Sequence, residues 1–205
     1  MRVALDVDGT LAQSYEQMIA QWNREKNTNF TINDATTDNF GRIIGMTPED
    51  FRRHYNAAWT ENWREISASA TAGEMRRFMA SMEVDLVTSR PPETLEGLNN
   101  WLSLKFPGIK FNIVISGPKA KFGLDYDVYI EDGDTLAEAF VENAGKTKKR
   151  LLLVSAFCNR ERDYERYEGI TRVESLSEAI GLLLSDSTAR SPRAEGAGPK
   201  ARQAR

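Results

Sequence analysis

Asp6-Val7-Asp8-Gly9-Thr10-Leu11 sets two carboxylates two residues apart, directly after the apolar run that starts at Val3. On an extended backbone such a pair can address one small volume only if the chain turns, and Gly9 supplies the freedom to turn. Carboxylates brought that close repel each other strongly. A divalent cation relieves the repulsion, and hard oxygen donors with retained waters suit Mg²⁺. The same Asp-x-Asp-Gly also suits a turn that caps the next helix. Further along, Leu86-Val87-Thr88-Ser89-Arg90 puts the hydroxyls of Thr88 and Ser89 where a phosphate oxygen needs a donor, or where a helix needs a cap before Pro91-Pro92. Ile130-Glu131-Asp132-Gly133-Asp134 forms a second acidic cluster. Lys121 lies between the two and offers a cation for phosphate charge, unless it is an exposed lysine like its neighbour Lys119.

These groups can meet only if the backbone brings them together, and the hydropathy pattern says how. Val3 to Val7, Val84 to Val87, Asn112 to Ile115, Val128 to Ile130 and Leu151 to Val154 read as short buried strands. Between them lie helical stretches: Pro92 to Phe106, with Leu95, Leu98, Leu102 and Leu104 spaced for one apolar face, and Thr135 to Asn143. Alternating strands and helices predict an α/β fold with a parallel sheet covered on both faces. Ligands of such sheets bind at the C-terminal strand ends, where all the groups above fall. The rhythm breaks between Ala12 and Ser81, where no strand is evident and Trp22, Phe30, Phe40, Phe51, Tyr55, Trp59 and Trp63 accumulate. This stretch reads as a helical insertion whose aromatics form a small local core, some facing a substrate. Ser14 to Lys26 is one of its helices. Thr47-Pro48-Glu49-Asp50 opens another, with Thr47 as N-cap, Pro48 in the first turn and acids at the positive helix end.

Composition narrows the chemistry. The 205 residues are 40% hydrophobic and 28% charged, which excludes collagen-like, coiled-coil and wholly disordered chains. A single histidine, His54, excludes multi-histidine metal centres, and it reads as a packing or surface residue. A single cysteine, Cys158, excludes an internal disulfide and reads as a quiet thiol. The net charge of −3 advertises neither a nucleic acid nor a membrane partner. With no apolar run long enough for a bilayer and no export signal, the expected compartment is cytoplasmic. From Ser187 onward the chain has no large apolar residue and five basic residues against Glu195, so a disordered basic tail is expected over 187–205.

Together these residues resemble the haloacid dehalogenase superfamily of phosphohydrolases, over nearly the whole folded chain and in the right order. Asp6 to Leu11 match its first motif in full, Thr88 its second, Lys121 its third, and Glu131 with Asp132 its fourth. A cap between the first and second motifs is a recognised design there. The resemblance implies a Rossmann-like α/β core over 1–11 and 82–186, with a small helical cap over 12–81. Within the superfamily the sequence is most similar to the 5'(3')-deoxyribonucleotidase family, the cytosolic type C 5' nucleotidases. Lys121 precedes the acidic pair by ten residues as in that family, and Thr88-Ser89-Arg90-Pro91 and Phe157-Cys158-Asn159-Arg160 look like its bacterial and phage members. Two departures stand out: Glu131-Asp132 replaces the usual Asp-Asp, and Gly133-Asp134 replaces the residues that commonly follow.

The resemblance also implies a mechanism. Asp6 is the nucleophile and forms an aspartyl-phosphate, while Asp8 protonates the leaving oxygen and then activates water. Mg²⁺ is held by Asp6, the Asp8 carbonyl and Asp132, with Glu131 as a second ligand or outer-shell group. Gly9, Thr10, Thr88, Ser89 and Lys121 hold the phosphoryl oxygens. Trp59, Trp63, Phe40 or Tyr55 of the cap would touch the substrate, a nucleoside monophosphate. Asp8 disfavours dehalogenation. A sugar-phosphate phosphatase, a phosphomutase and a catalytically silent nucleotide-binding relative stay open, as does a homodimer.

Overall fold

The computed structural model describes residues 1–34 and 40–190, with the backbone alone at 40 and 188–190. In chain order the elements are β1 (Arg2–Leu5), α1 (Ser14–Lys26), α2 (Phe40–Ile43), α3 (Pro48–Thr60) and α4 (Ala72–Ser81). There follow β2 (Glu83–Thr88), α5 (Leu95–Lys105), β3 (Asn112–Ile115), β4 (Val128–Glu131) and α6 (Asp134–Glu142). The chain then continues through β5 (Arg150–Val154), β6 (Ile170–Val173) and α7 (Leu176–Arg190). Short 3-10 turns lie at Ile32–Asp34, Trp63–Glu65, Pro92–Thr94 and Ala120–Gly123. Among the described residues no helix is long and apolar enough to cross a membrane.

The six strands form one sheet in the order β3-β2-β1-β4-β5-β6, every pair parallel. The expected α/β class with a Rossmann-like parallel sheet is what the chain adopts. Alternation along each strand feeds two cores. Val3, Leu5, Val84, Leu86, Val128, Ile130, Leu152 and Val154 join one, whereas Ala4, Val87, Tyr129, Leu151 and Leu153 join the other. Strands buried on both faces explain the nearly unbroken apolar runs. From α4, α5 and α7, Met75, Phe78, Leu98, Trp101, Ile180 and Leu183 complete the first core, and Leu136, Ala137 and Phe140 of α6 complete the second.

Helices α1 and α3 form the layer above the strand ends. Both start as the sequence predicts, and α3 has a full capping box in which Thr47 accepts from Asp50 N–H while the Asp50 side chain accepts from Thr47 N–H. Met18, Ile19, Trp22, Ile44 and Met46 bury a third core here, joined by Phe157 from the loop after β5. His54 is buried in this layer, its Nδ1 2.9 Å from the Asp50 carbonyl and its Nε2 2.9 Å from Glu25.

Several expectations change. Of the 12–81 stretch, α4 packs on the sheet rather than with α1 and α3, because Met75 and Phe78 belong to the sheet core. The aromatics divide as well: Trp59 is buried in the sheet core against Trp101, with ring centroids 5.6 Å apart. Contact is so close that a Cβ on Gly97 of α5 would lie 1.7 Å from the Trp59 carbonyl oxygen. Leu104 is 53% exposed instead of lining the α5 face, and Trp101 takes its place. The edge strand β6 and helix α7 had no counterpart in the sequence reading. Helix α7 runs on to Arg190, through the first four residues of the stretch expected to be disordered, and 191–205 lie outside the described residues.

Candidate active site

The chain winds from β1 outward to β3, then returns to the other side of β1 to lay down β4, β5 and β6. Direction therefore reverses between β1 and β4, and a crevice opens at their C-terminal ends. Asp6 follows β1, held by its N–H to the Ile130 carbonyl at 2.9 Å, and Asp132 follows β4. After Asp6 the chain turns tightly, with the N–H groups of Leu11 and Ala12 both bonded to the Val7 carbonyl, at 3.0 and 2.8 Å. Gly9 meets two demands of this turn. Its φ is +81°, and a Cβ there would sit 2.0 Å from Asp132 Oδ2.

One pole of the site is crowded with acid. Asp6, Glu131 and Asp132 are all buried, and each offers an oxygen within 4.8 Å of the others. Lys121, 3% exposed, puts Nζ 2.6 Å from Asp6 Oδ1 and 2.6 Å from Glu131 Oε2. Thr10 donates to Asp132 Oδ1 at 2.9 Å, and Gly133 N–H donates to Glu131 Oε1 at 3.2 Å. Burial and repulsion from Glu131 hold the Asp6 carboxyl well above its usual range, with Lys121 opposing. The same two causes push Asp132 up to about 8 against the Thr10 hydrogen bond and Lys121. Lys121 is raised too, because attraction to Asp6 and Glu131 outweighs the burial that disfavours its charge. From the loop after β5, Asn159 Nδ2 donates to the Asp132 carbonyl at 2.8 Å and to the Val154 carbonyl at 2.7 Å, tying the acidic loop to the sheet.

The other pole is Asp8, surrounded by donors. Its Oδ1 accepts from Ser14 Oγ at 2.5 Å and from Trp59 Nε1 at 2.9 Å, and its Oδ2 accepts from Arg90 Nε at 2.7 Å. Arg90 is 1% exposed, with its guanidinium carbon 4.1 Å from the Tyr55 ring centroid. Its charge is held up by Asp8 and Tyr55 against strong desolvation.

A cavity of about 280 Å³ joins the poles. Asp6, Asp8, Ser89, Lys121, Glu131 and Asp132 line it, and Tyr15, Phe51, Tyr55 and Phe157 form its aromatic wall. Gly9 and Thr10 face an adjoining cavity of about 340 Å³ that shares Tyr15, Asp132 and Phe157. The fold thus gathers residues far apart in sequence. Thr88 is fully buried and lines neither cavity, its Oγ1 accepting from Arg90 N–H at 3.2 Å. Of the four cap aromatics, Tyr55 reaches the cavity. Trp59 is completely buried and uses its indole N–H on Asp8, so its ring has no free face for a substrate. Trp63 packs against the sheet core and lies away from both cavities. The Phe40 side chain lies outside the described residues. Sequence reasoning gave no role in the site to Tyr15, Arg90, Phe157 or Asn159, named Ser14 as a helix start, and placed Phe51 among the cap aromatics without singling it out. For Arg90, Phe157 and Asn159 a signal existed, since they stand inside the two segments singled out as similar to bacterial and phage nucleotidases.

Among solved structures the chain is similar to a hydrolase from Pseudomonas syringae (21% identity, TM-score 0.56, 90% of this chain and 99% of that one). It is also similar to a haloacid dehalogenase family hydrolase from Deinococcus radiodurans with bound phosphate and sodium (17%, 0.57, 93% and 97%). A third is the Mycobacterium tuberculosis protein tyrosine kinase A (15%, 0.56, 88% and 97%). Likenesses at such identities establish the fold, and the kinase shows how different the reactions on it can be. No curated protein sequence matches the chain significantly. Family-level comparison is decisive where these are not, because the match to "5' nucleotidase, deoxy (Pyrimidine), cytosolic type C protein" spans residues 1–187, and the chain belongs to that family of haloacid dehalogenase-like phosphohydrolases.

Proposed function

We propose that this phosphohydrolase is a Mg²⁺-dependent nucleotidase that releases phosphate from nucleoside monophosphates through an aspartyl-phosphate on Asp6. The observation that carries the reading is the buried trio Asp6, Glu131 and Asp132 around Lys121, open to the cavity at the sheet's switch point. The trio fits a divalent cation: its donors are hard carboxylate oxygens, its single adjacent ammonium leaves excess negative charge, and Gly9 keeps side-chain bulk away from Asp132 Oδ2. Asp6 and Asp132 would hold the ion, with Glu131 bonded to Lys121 beside them. When bound, it would neutralise phosphoryl charge.

The protein's own groups account for the remaining chemistry. An oxygen of Asp6 attacks phosphorus as the ester bond breaks on the far side, dividing one hard displacement into two easier ones. Asp8 gives a proton to the leaving oxygen, and the resulting carboxylate then takes one from the water that attacks the intermediate. Lys121 and Ser89 bind phosphoryl oxygens, while Thr88, which accepts from Arg90, keeps its O–H to donate. Tyr15, Phe51, Tyr55 and Phe157 offer ring faces and edges suited to a nucleobase. A cytoplasmic setting goes with the reading.

Phosphate release from a panel of ribo- and deoxyribonucleoside monophosphates and sugar phosphates, with Mg²⁺ or EDTA, tests it. Mg²⁺-dependent release that favours nucleotides is expected. A preference for sugar phosphates would replace the substrate class, and no release from any ester would overturn the hydrolytic reading.

A further inference from the structure

Asp8 accepts hydrogen bonds from three separate parts of the fold: Ser14 at the start of α1, Trp59 near the end of α3, and Arg90 beyond β2. An ionised carboxylate has about four acceptor positions, two on each oxygen. Ser14 and Trp59 occupy both on Oδ1, and Arg90 Nε occupies one on Oδ2. The position that remains is on Oδ2, in a side chain that lines the cavity.

The contact with Asp8 is the shortest that the Arg90 side chain makes. Its guanidinium lies 4.1 Å from the centroid of Tyr55 and 5.1 Å from that of Trp59, and its terminal nitrogens are a long 3.4 Å from the Tyr55 carbonyl. Among the described residues its one ion pair is with Asp8. A buried cation is costly unless paired and hydrogen-bonded, so structural packing alone gives little reason for an arginine here.

We propose, resting on the reading of Asp8 as the acid, that Arg90, Trp59 and Ser14 are its positioning residues and leave one acceptor position on Oδ2, facing the leaving oxygen, for the transferable proton, which Asp8 takes from solvent as the anionic phosphoryl group binds. In the first step an Asp6 oxygen forms a bond to phosphorus and the bond from phosphorus to the leaving oxygen breaks. The proton passes from Asp8 Oδ2 to that oxygen. Its electron pair stays on Oδ2, where Arg90 Nε–H stabilises the new carboxylate. Because Ser14 and Trp59 belong to the helical layer, the docking of α1 and α3 is what orients the acid.

The test compares kcat/KM for a nucleoside 5'-monophosphate with that for p-nitrophenyl phosphate, whose leaving group departs without a proton. Since kcat/KM covers the steps through ester cleavage, slow hydrolysis of the intermediate does not mask the effect. Asp8→Asn is expected to lose about 10²- to 10⁴-fold on the nucleotide and far less on the aryl ester. Arg90→Met and Trp59→Phe are expected to repeat that selectivity at about 10- to 100-fold, with Arg90→Lys between Arg90→Met and wild type. Arg90→Met strands a buried carboxylate and threatens the fold. Trp59→Phe keeps a smaller aromatic ring, removes the N–H and is the variant that decides the positioning role, with thermal melting to verify that it and Asp8→Asn are folded. Equal losses on both esters in Trp59→Phe, or no loss, beside a selective Asp8→Asn would overturn the positioning role. An unselective Asp8→Asn would instead overturn the reading of Asp8 as the acid, and the inference with it.

Discussion

Asp6 and Asp8 are two residues apart and live in opposite company. Asp6 sits among carboxylates with one lysine to offset them, whereas Asp8 is met by a guanidinium, an indole and a hydroxyl. The first pole comes from the sheet, through the ends of β1 and β4; the second borrows from the helical layer. The contrast teaches a division of labour: an environment short of positive charge recruits a cation and a phosphoryl group, and one with enough donors fixes a proton's position. Thermodynamically the first pole is a site held at a cost, and the second is already satisfied.

The largest effect that bears on this comparison comes from Asp6→Asn. We expect kcat to fall by about 10³-fold or more in steady-state phosphate release. The folded state should survive, because the change removes one of three crowded carboxylates. In EDTA, Asp6→Asn should melt no lower than wild type, while Asp8→Asn, which breaks a buried ion pair, should lose about 3–5 kcal/mol by denaturant unfolding. A similar stability loss in both variants would erase the distinction between the poles.

Lys121→Met should come next, with kcat reduced by about 10²- to 10³-fold through loss of phosphoryl charge stabilisation. The acidic pole should also respond to pH. Asp132 is pushed up to about 8 and Asp6 is raised well above its ordinary range, so in metal-free protein both bind protons more tightly folded than unfolded. Their contribution to stability is therefore full at low pH and is lost as pH rises through those folded values. Mg²⁺ needs the deprotonated forms, so the melting-temperature gain from Mg²⁺ over EDTA should widen from about pH 6 to about pH 9. A gain independent of pH would place the metal elsewhere.

Smaller effects sharpen the edges of the comparison. Phe51→Leu should raise KM about 5-fold for nucleoside monophosphates and leave ribose 5-phosphate unchanged, if the aromatic wall holds a base. Away from the site, Glu74 caps α4 with Thr71 and accepts from Ser177, and these hydrogen bonds hold its carboxyl down to about 2. Its stabilisation is full above the unfolded value near 4.5 and is lost as pH falls toward about 2. Glu74→Gln should cost about 1 kcal/mol at neutral pH and flatten the acid limb of a stability profile.

Much of this was legible in the sequence because it depends on local signals. Mostly apolar runs marked five of the six strands, Thr47-Pro48 marked the start of α3, and the acidic motifs fell at strand ends where a parallel sheet must gather them. What was not legible depends on partners distant in sequence. Strand β6 carries Thr171 and Arg172 at a sheet edge, which masks its pattern. Leu104 fits an apolar helix face by spacing, yet the α5 face is set by where Trp101 meets Trp59 and Phe106. Trp59 has the composition of a stacking residue, and only the fold shows its N–H committed to Asp8. Arg90 looked like the end of a hydroxyl motif, because nothing local says that its cation faces a carboxylate 82 positions earlier.

The most direct test of the central claim is an acid quench of wild-type protein within its first turnover of a nucleoside monophosphate, followed by mass spectrometry of the peptide that carries Asp6. The account predicts a phosphoryl group on Asp6 that is absent in Asp6→Asn. Turnover with the label on another residue, or undiminished turnover by Asp6→Asn, would contradict it.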